Sequence, residues 1–79
     1  MQLSDIINID PEILGGKPVF KGTRVPVETM FDHLEAGISL YEFLEEFSTV
    51  DKAQAVATLE IANKLMTSKN AGKFYETAA

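Results

Sequence analysis

Gly15-Gly16-Lys17-Pro18-Val19-Phe20-Lys21-Gly22-Thr23-Arg24-Val25-Pro26-Val27 decides how the rest of the chain folds. Three of the five glycines and two of the three prolines fall in it. Lys21-Gly22 reads as the centre of a tight turn, since Gly22 takes a positive φ with no Cβ penalty. Val19-Phe20 and Arg24-Val25 are the extended arms on either side. A two-residue loop pairs Phe20 with Thr23, Val19 with Arg24 and Pro18 with Val25. Pro18, Phe20, Thr23 and Val25 then share a mostly apolar face, and Lys17, Val19 and Arg24 take the other. Neither proline can donate a ladder hydrogen bond, so the ribbon is only a few residues long. A ribbon this small must pack on something.

Outward from the ribbon, the N-terminal side offers Ile6-Ile7-Asn8-Ile9, a short β-prone run. Asp10-Pro11-Glu12-Ile13-Leu14-Gly15 follows as one expected helical turn, with Asp10 as N-cap, Pro11 first and Gly15 as the stop. On the C-terminal side, Val27, Met30, Phe31 and Leu34 fall at i, i+3, i+4 and i+7, which predicts a helix from about Val27 to Ala36. Gly37 stops it. Ser39 and Glu42 form a Ser-x-x-Glu capping box for a second helix, about Leu40 to Phe47, with Leu40, Phe43, Leu44 and Phe47 inward. Asp51 and Gln54 repeat the pattern for a third helix ending near Met66. Its main stripe is Ala55, Leu59, Ala62 and Met66, flanked by Val56, Ile61 and Leu65. The expected division is therefore an arm and hairpin at 1–26, three helices at 27–66, and a flexible tail at 67–79. Two short helices, a turn and a longer helix make a mainly α, trihelical helix-turn-helix arrangement behind a short N-terminal β-hairpin.

Seventy-nine residues make one domain, and a core of this size needs very good packing or a partner. No cysteine is present, which excludes disulfides, thiol nucleophiles and cysteine zinc sites. No apolar stretch is long enough to span a membrane, and Met1-Gln2-Leu3-Ser4-Asp5 lacks the basic start of a signal peptide, so a cytoplasmic setting is expected. The net charge of −5 argues against a generic nucleic-acid coat. That charge is uneven. Lys17, Lys21 and Arg24 balance Asp5, Asp10 and Glu12, whereas residues 26–50 hold Glu28, Asp32, Glu35, Glu42, Glu45 and Glu46 with no lysine or arginine.

The run from Asp10 through Val27, with Leu34-Glu35-Ala36-Gly37-Ile38-Ser39, Glu42 and Ala53-Val56-Ala57, resembles the small prokaryotic domain-of-unknown-function family four-three-three. That family carries a Gly-x-Pro-x-x-x-Gly-Thr-Arg-x-Pro-Val signature before a homeodomain-like helix-turn-helix. The resemblance spans roughly residues 6–66. Members are often encoded beside a PIN-like ribonuclease-fold protein, and some are described as VapB-type antitoxins. The resemblance thus implies a protein that binds and neutralises such a toxin and binds its own operator DNA. One departure is clear. The family's aromatic-Pro-x-Leu turn after the second helix is here Phe47-Ser48-Thr49-Val50, without the proline.

The candidate site residues follow from charge and position. Lys17, Lys21 and Arg24 are candidates to hold phosphate, Arg24 in a bidentate manner; the competing reading pairs Arg24 with Asp10 or Glu28 of its own chain. Lys52, Gln54 and Thr58 are candidates to read bases from the third helix, against the alternative of a solvated face. Val19, Phe20 and Val25 are the expected self-association face of a homodimer, and Phe74 and Tyr75 the expected partner contacts of the tail. His33, the one histidine, has no second His or Cys to join it in a metal site, and an exposed or boundary position is expected. No nucleophile–base constellation is present, so neither catalytic nor metal residues nor a cofactor are expected. Three functions remain: an antitoxin-like binding protein with a PIN-like toxin as partner, a stand-alone DNA-binding regulator, and a structural self-assembly domain.

Overall fold

The computed structural model describes residues 2–69. The chain is mainly helical. Helix α1 spans Leu3–Ile6, strand β1 Ile7–Asn8, a 3-10 turn Leu14–Gly16, strand β2 Val19–Phe20, and helices α2, α3 and α4 span Val27–Glu35, Leu40–Glu46 and Lys52–Thr67.

The ribbon forms, but with a different partner and a wider loop than a two-residue turn gives. β2 pairs antiparallel with β1, Ile7 opposite Phe20 and Asn8 opposite Val19. On its other side Val19 bridges Pro26, not Arg24. Phe20 N donates to Val25 O and Val27 N to Pro18 O, both at 3.0 Å. These two bonds flank the Val19–Pro26 pair, which is therefore the non-hydrogen-bonded type. The missing proline donor costs nothing there, because an N–H at that site would point away from the strand. Four residues, Lys21 to Arg24, make the loop. Thr23 N closes a turn onto Phe20 O at 3.0 Å, and Gly22 holds φ at +80°, the requirement at the third position of a type II turn. The Thr23 hydroxyl then donates to Phe20 O at 2.8 Å and accepts from Val25 N at 3.0 Å. A side chain thus does what a longer ladder would do.

The N-terminal arm differs in two places. α1 precedes β1, where only a β-prone run was legible. Gln2 N donates to the Asp5 carboxylate at 3.0 Å, an acidic residue in the first turn serving a free N–H. Asp10 to Gly15 is not a helical turn. The Asp10 carboxylate takes Glu12 N at 2.9 Å, Asp10 O takes Ile13 N at 2.9 Å, and the 3-10 turn starts only at Leu14. Leu14 itself has φ of +50°, rare for a residue with a side chain, and is exposed.

The three main helices follow their sequence signals. α2 ends at Gly37, φ +83°, with Gly37 N on Leu34 O and Ile38 N on His33 O, the double closure of a Schellman motif. Ser39 and Glu42 cap α3 reciprocally: Glu42 N donates to Ser39 Oγ at 3.1 Å and Ser39 N to Glu42 Oε2 at 3.3 Å. The turn that lacks the family's proline still closes. Val50 N donates to Phe47 O at 3.0 Å, and Val50 is buried. Backbone hydrogen bonding and an apolar anchor hold this turn without a ring to fix φ.

Phe20, Met30, Phe43, Val50 and Ala55 form the core, with Val25, Val27, Phe31, Leu34, Leu40, Leu44, Phe47 and Leu59 packed around them. Phe20 and Phe43 meet at 6.3 Å between ring centres, and Phe43 and Phe47 at 5.1 Å. Val19 and Phe20 are fully buried and Val25 partly so. Phe20 and Val25 are taken up in the core with the helices and Val19 is buried too, so the face expected to pair with a second copy is not open to one. The helices needed the ribbon's apolar side to complete one core. α4 also departs from expectation. Thr58 lies inside beside Ala55, while Leu65 and Met66 are 51% and 43% exposed.

Candidate functional site

The six residues expected to meet nucleic acid divide into two groups. Gln54 and Thr58 belong to the fold. Gln54 Nε2 donates to Lys21 O at 2.9 Å and to Ile6 O at 3.5 Å, while its Oε1 accepts from Asp51 N at 3.0 Å. One amide thus caps α4, holds the Lys21-Gly22 turn and reaches the end of α1. Thr58 is only 5% exposed, and its hydroxyl donates back to Gln54 O at 2.8 Å. Neither side chain is presented to a base edge. The physical reason is position: Gln54 is the third residue of a helix whose N-terminus abuts the ribbon, where free backbone groups must be satisfied.

Lys17, Lys21, Arg24 and Lys52 are exposed. Lys17 Nζ lies 3.5 Å from Glu28 Oε1, both groups well exposed, a pair that adds little to stability. Lys21 Nζ donates to Ser4 O at 3.2 Å, tying the loop to α1. Arg24 makes neither of the intramolecular pairs weighed for it. Glu28 takes Lys17 instead, and no ion pair or side-chain hydrogen bond joins Arg24 to another described residue. The loop therefore presents a guanidinium to solvent from a rigid turn, with only Lys52 as an exposed base on the first turns of α4.

The opposite electrostatic character covers α2 and α3. Glu28, Asp32, Glu35, Glu42, Glu45 and Glu46 are all exposed, and Tyr41 stands among them 72% exposed. His33 sits at the boundary of this surface. Its Nδ1 lies 2.8 Å from Thr29 O and its Nε2 3.3 Å from Glu46 Oε2. Facing a carbonyl, Nδ1 must be the donor, so the Glu46 contact is an ion pair when the ring carries both protons. The ring stands edge-on to Phe43 and Phe47, at 5.4 and 5.5 Å. Its contacts hold α2 to α3 and place it at the boundary of the core, the second of the two positions open to it in the sequence. Among the described residues no enclosed cavity and no cluster of three metal-ligating side chains occurs. None of their helices is long and apolar enough to cross a membrane. Phe74 and Tyr75 lie outside the described residues, as does the expected flexibility of the tail from residue 70.

Fold and surface together define a small, mainly helical domain whose signature loop is structural and whose exposed faces are charged. Residues 7–62 match the family described as Protein of unknown function (DUF433), and the chain belongs to that family. It is also similar to the uncharacterized protein y4eO of Sinorhizobium fredii (strain NBRC 101917 / NGR234), 43% identical over 47 residues, which is 60% of this chain and 21% of that protein. The chain thus spans about a fifth of that relative's length. No solved structure matches it.

The sequence reading missed two things. Gln54 was read with Asp51 as a helix cap, but no local pattern reports that its amide also reaches Lys21 O and Ile6 O. Tyr41 passed unremarked because it falls outside the apolar stripe of α3, and an aromatic residue outside the stripe is the signal for an exposed one.

Proposed function

We propose that the chain is an antitoxin-like protein-binding module of the cytoplasm, not an enzyme, that pairs with a PIN-like ribonuclease and neutralises it. The ribonuclease class comes from the family resemblance. The observation that carries the binding role is the outer side of α3, where Tyr41 stands exposed among Glu42, Glu45 and Glu46. An enzyme that acts on RNA must draw a polyanion to its cleft, so its mouth is cationic. An acidic helix with one protruding aromatic ring is complementary to such a mouth: the charges steer and the ring anchors. Isolating the protein from its own cells and identifying what co-purifies tests this directly. A basic nuclease is expected. With that partner in hand, Tyr41→Ala and Glu45→Lys should each weaken binding at least tenfold with the melting temperature unchanged. Failure to retain a nuclease, or full affinity in both variants, would overturn the reading.

A second reading, binding to its own operator DNA, is favoured by one feature, the exposed Arg24 with no ion-pair or side-chain hydrogen-bond partner among the described residues. Lys21 and Lys52 are the other bases available to it. Because Gln54 and Thr58 are spent on the fold, this binding would be phosphate contact more than base readout. Arg24→Ala and Lys52→Ala should each lower the slope of log affinity against log salt by up to about one unit. An affinity for upstream DNA that does not respond to salt would dispose of it.

A further inference from the structure

The N-terminal arm, α1 with β1, is joined to the body by a lightly packed stretch. Residues 9–18 lead from β1 to β2, and none of the ten is buried. The backbone hydrogen bonds that shape the stretch run inside it: Ile13 N on Asp10 O, Gly16 N on Ile13 O, Lys17 N on Leu14 O, and Glu12 N on the Asp10 carboxylate. Its middle is strained. Leu14 holds φ at +50°, with Gly15 at +68° and Gly16 at +90° after it. The glycines adopt such angles freely, whereas a leucine there brings its Cβ too close to the following carbonyl oxygen. Strain of this kind persists where the surroundings enforce it. Leu14 is 47% exposed, so close packing does not enforce it. What does is the need for the chain to turn back from β1 to β2.

The arm itself is held at several points. Ile6 is fully buried, and β1 pairs with β2. Lys21 N donates to Ile6 O at 2.8 Å, Lys21 Nζ to Ser4 O at 3.2 Å, and Gln54 Nε2 to Ile6 O at 3.5 Å. A well-held terminal element behind a strained return loop is the arrangement from which copies exchange that element. We infer that the chain forms a dimer in which the arms trade places, residues 3–8 of each copy lying on β2 and α4 of the other. Opened out, the ten linking residues span up to about 33–36 Å, against roughly 5 Å between paired strands, so they reach a neighbouring body. The arm contacts named above are re-formed with identical groups, and Leu14 of both copies leaves the left-handed region. A second copy is the occupant because the socket of Ile6 fits this one segment, and only another copy of the chain carries it. The exchange uses no further helix face. Tyr41 and the acids of α3 stay exposed, as does Arg24, so the dimer presents each of them twice.

The chain has no cysteine, so two introduced thiols are unique. Ser4 and Lys21 are exposed and joined by the Lys21 Nζ hydrogen bond, which places them within reach of a short bismaleimide. The test takes the full 79-residue chain as the double variant Ser4→Cys with Lys21→Cys. It is equilibrated at micromolar to millimolar concentration, diluted and bridged at once. In the closed monomer the bridge forms within one chain; in the exchanged dimer it joins two. Covalent dimer is expected, in a share that rises with the concentration before dilution. Because both arms must leave their sockets for the dimer to part, it should outlast the dilution. Sedimentation of the parent chain should show the same dimer. Leu14→Gly removes the strain from the closed form and should weaken dimerisation at least tenfold. Leu14→Val, β-branched and costlier in the left-handed region, should strengthen it at least tenfold. Bridges confined to single chains at every concentration overturn the inference. So does a dimer without bridges between copies, or one indifferent to both changes at Leu14.

Discussion

Phe20→Ala is expected to lower the melting temperature by on the order of 15–30 °C. Phe20 is fully buried, stacks obliquely on Phe43, and is the side chain through which the ribbon enters the helical core. Removing a buried phenylalanine costs about 3–5 kcal/mol, because the transfer term and the unfilled cavity add. A domain of this size holds roughly 4–12 kcal/mol in all, and each kcal/mol moves the midpoint by about 4–8 °C. Phe20→Leu refills much of the volume and should cost less than half as much. The loss should be independent of protein concentration, since Phe20 touches its own chain. A small shift, or one that disappears at high concentration, would mean instead that the ring packs between copies.

How the fold was legible, and where it was not, follows from which interactions are local. α2 and α3 were readable because their signals are local: an apolar repeat, a capping box at Ser39 and Glu42, a glycine stop at Gly37. The ribbon was readable as a ribbon, but not its partner. Whether Val19 pairs with Arg24 or Pro26 depends on two hydrogen bonds of the Thr23 hydroxyl, which no periodicity reports. That β1 lies on the other side of β2 depends on contacts across a dozen residues. α1 was missed for the same reason, because four residues do not establish a period. Val19, Phe20 and Val25 were read as open to a second copy since a two-stranded ribbon usually has an uncovered side. Here Val19 and Phe20, on opposite sides of it, are both fully buried.

The same distinction governs the site. Charge is a property of single residues, so the exposed bases Lys17, Lys21, Arg24 and Lys52 and the acids of α2 and α3 could be read directly. Engagement is not. Arg24 and Gln54 both looked able to reach outward. The structure leaves Arg24 in solvent, with Glu28 turned toward Lys17, and commits Gln54 to three backbone groups. The Gly-Thr-Arg-Val-Pro-Val run is accordingly a structural device at every position but one. Gly22 makes the turn, Thr23 locks it, Val25 packs and Pro26 is the N-cap from which α2 starts at Val27. Arg24 is the one side chain of the run that is exposed.

Gln54→Ala separates the structural from the nucleic-acid role of that residue. The amide's three hydrogen bonds run to backbone groups of Asp51, Lys21 and Ile6, which belong to three different elements. At about 1 kcal/mol each, losing them should cost roughly 2–3 kcal/mol, and leave the Lys21 carbonyl without its partner. Gln54→Glu keeps the acceptor for Asp51 N but replaces the donor by a carboxylate oxygen facing two carbonyls. It should therefore cost at least as much as alanine, although it is the closer isostere. Lys52→Ala, two residues away and in solvent, should stay within about 0.5 kcal/mol of the parent. Thr58→Val should fall between, since the Gln54 carbonyl it loses retains its place in the helix ladder. Urea unfolding of the four variants ranks them. If Gln54→Ala proved as stable as Lys52→Ala, the bridge from α4 to the loop would be energetically idle. Gln54 would then return to the residues available for reading DNA.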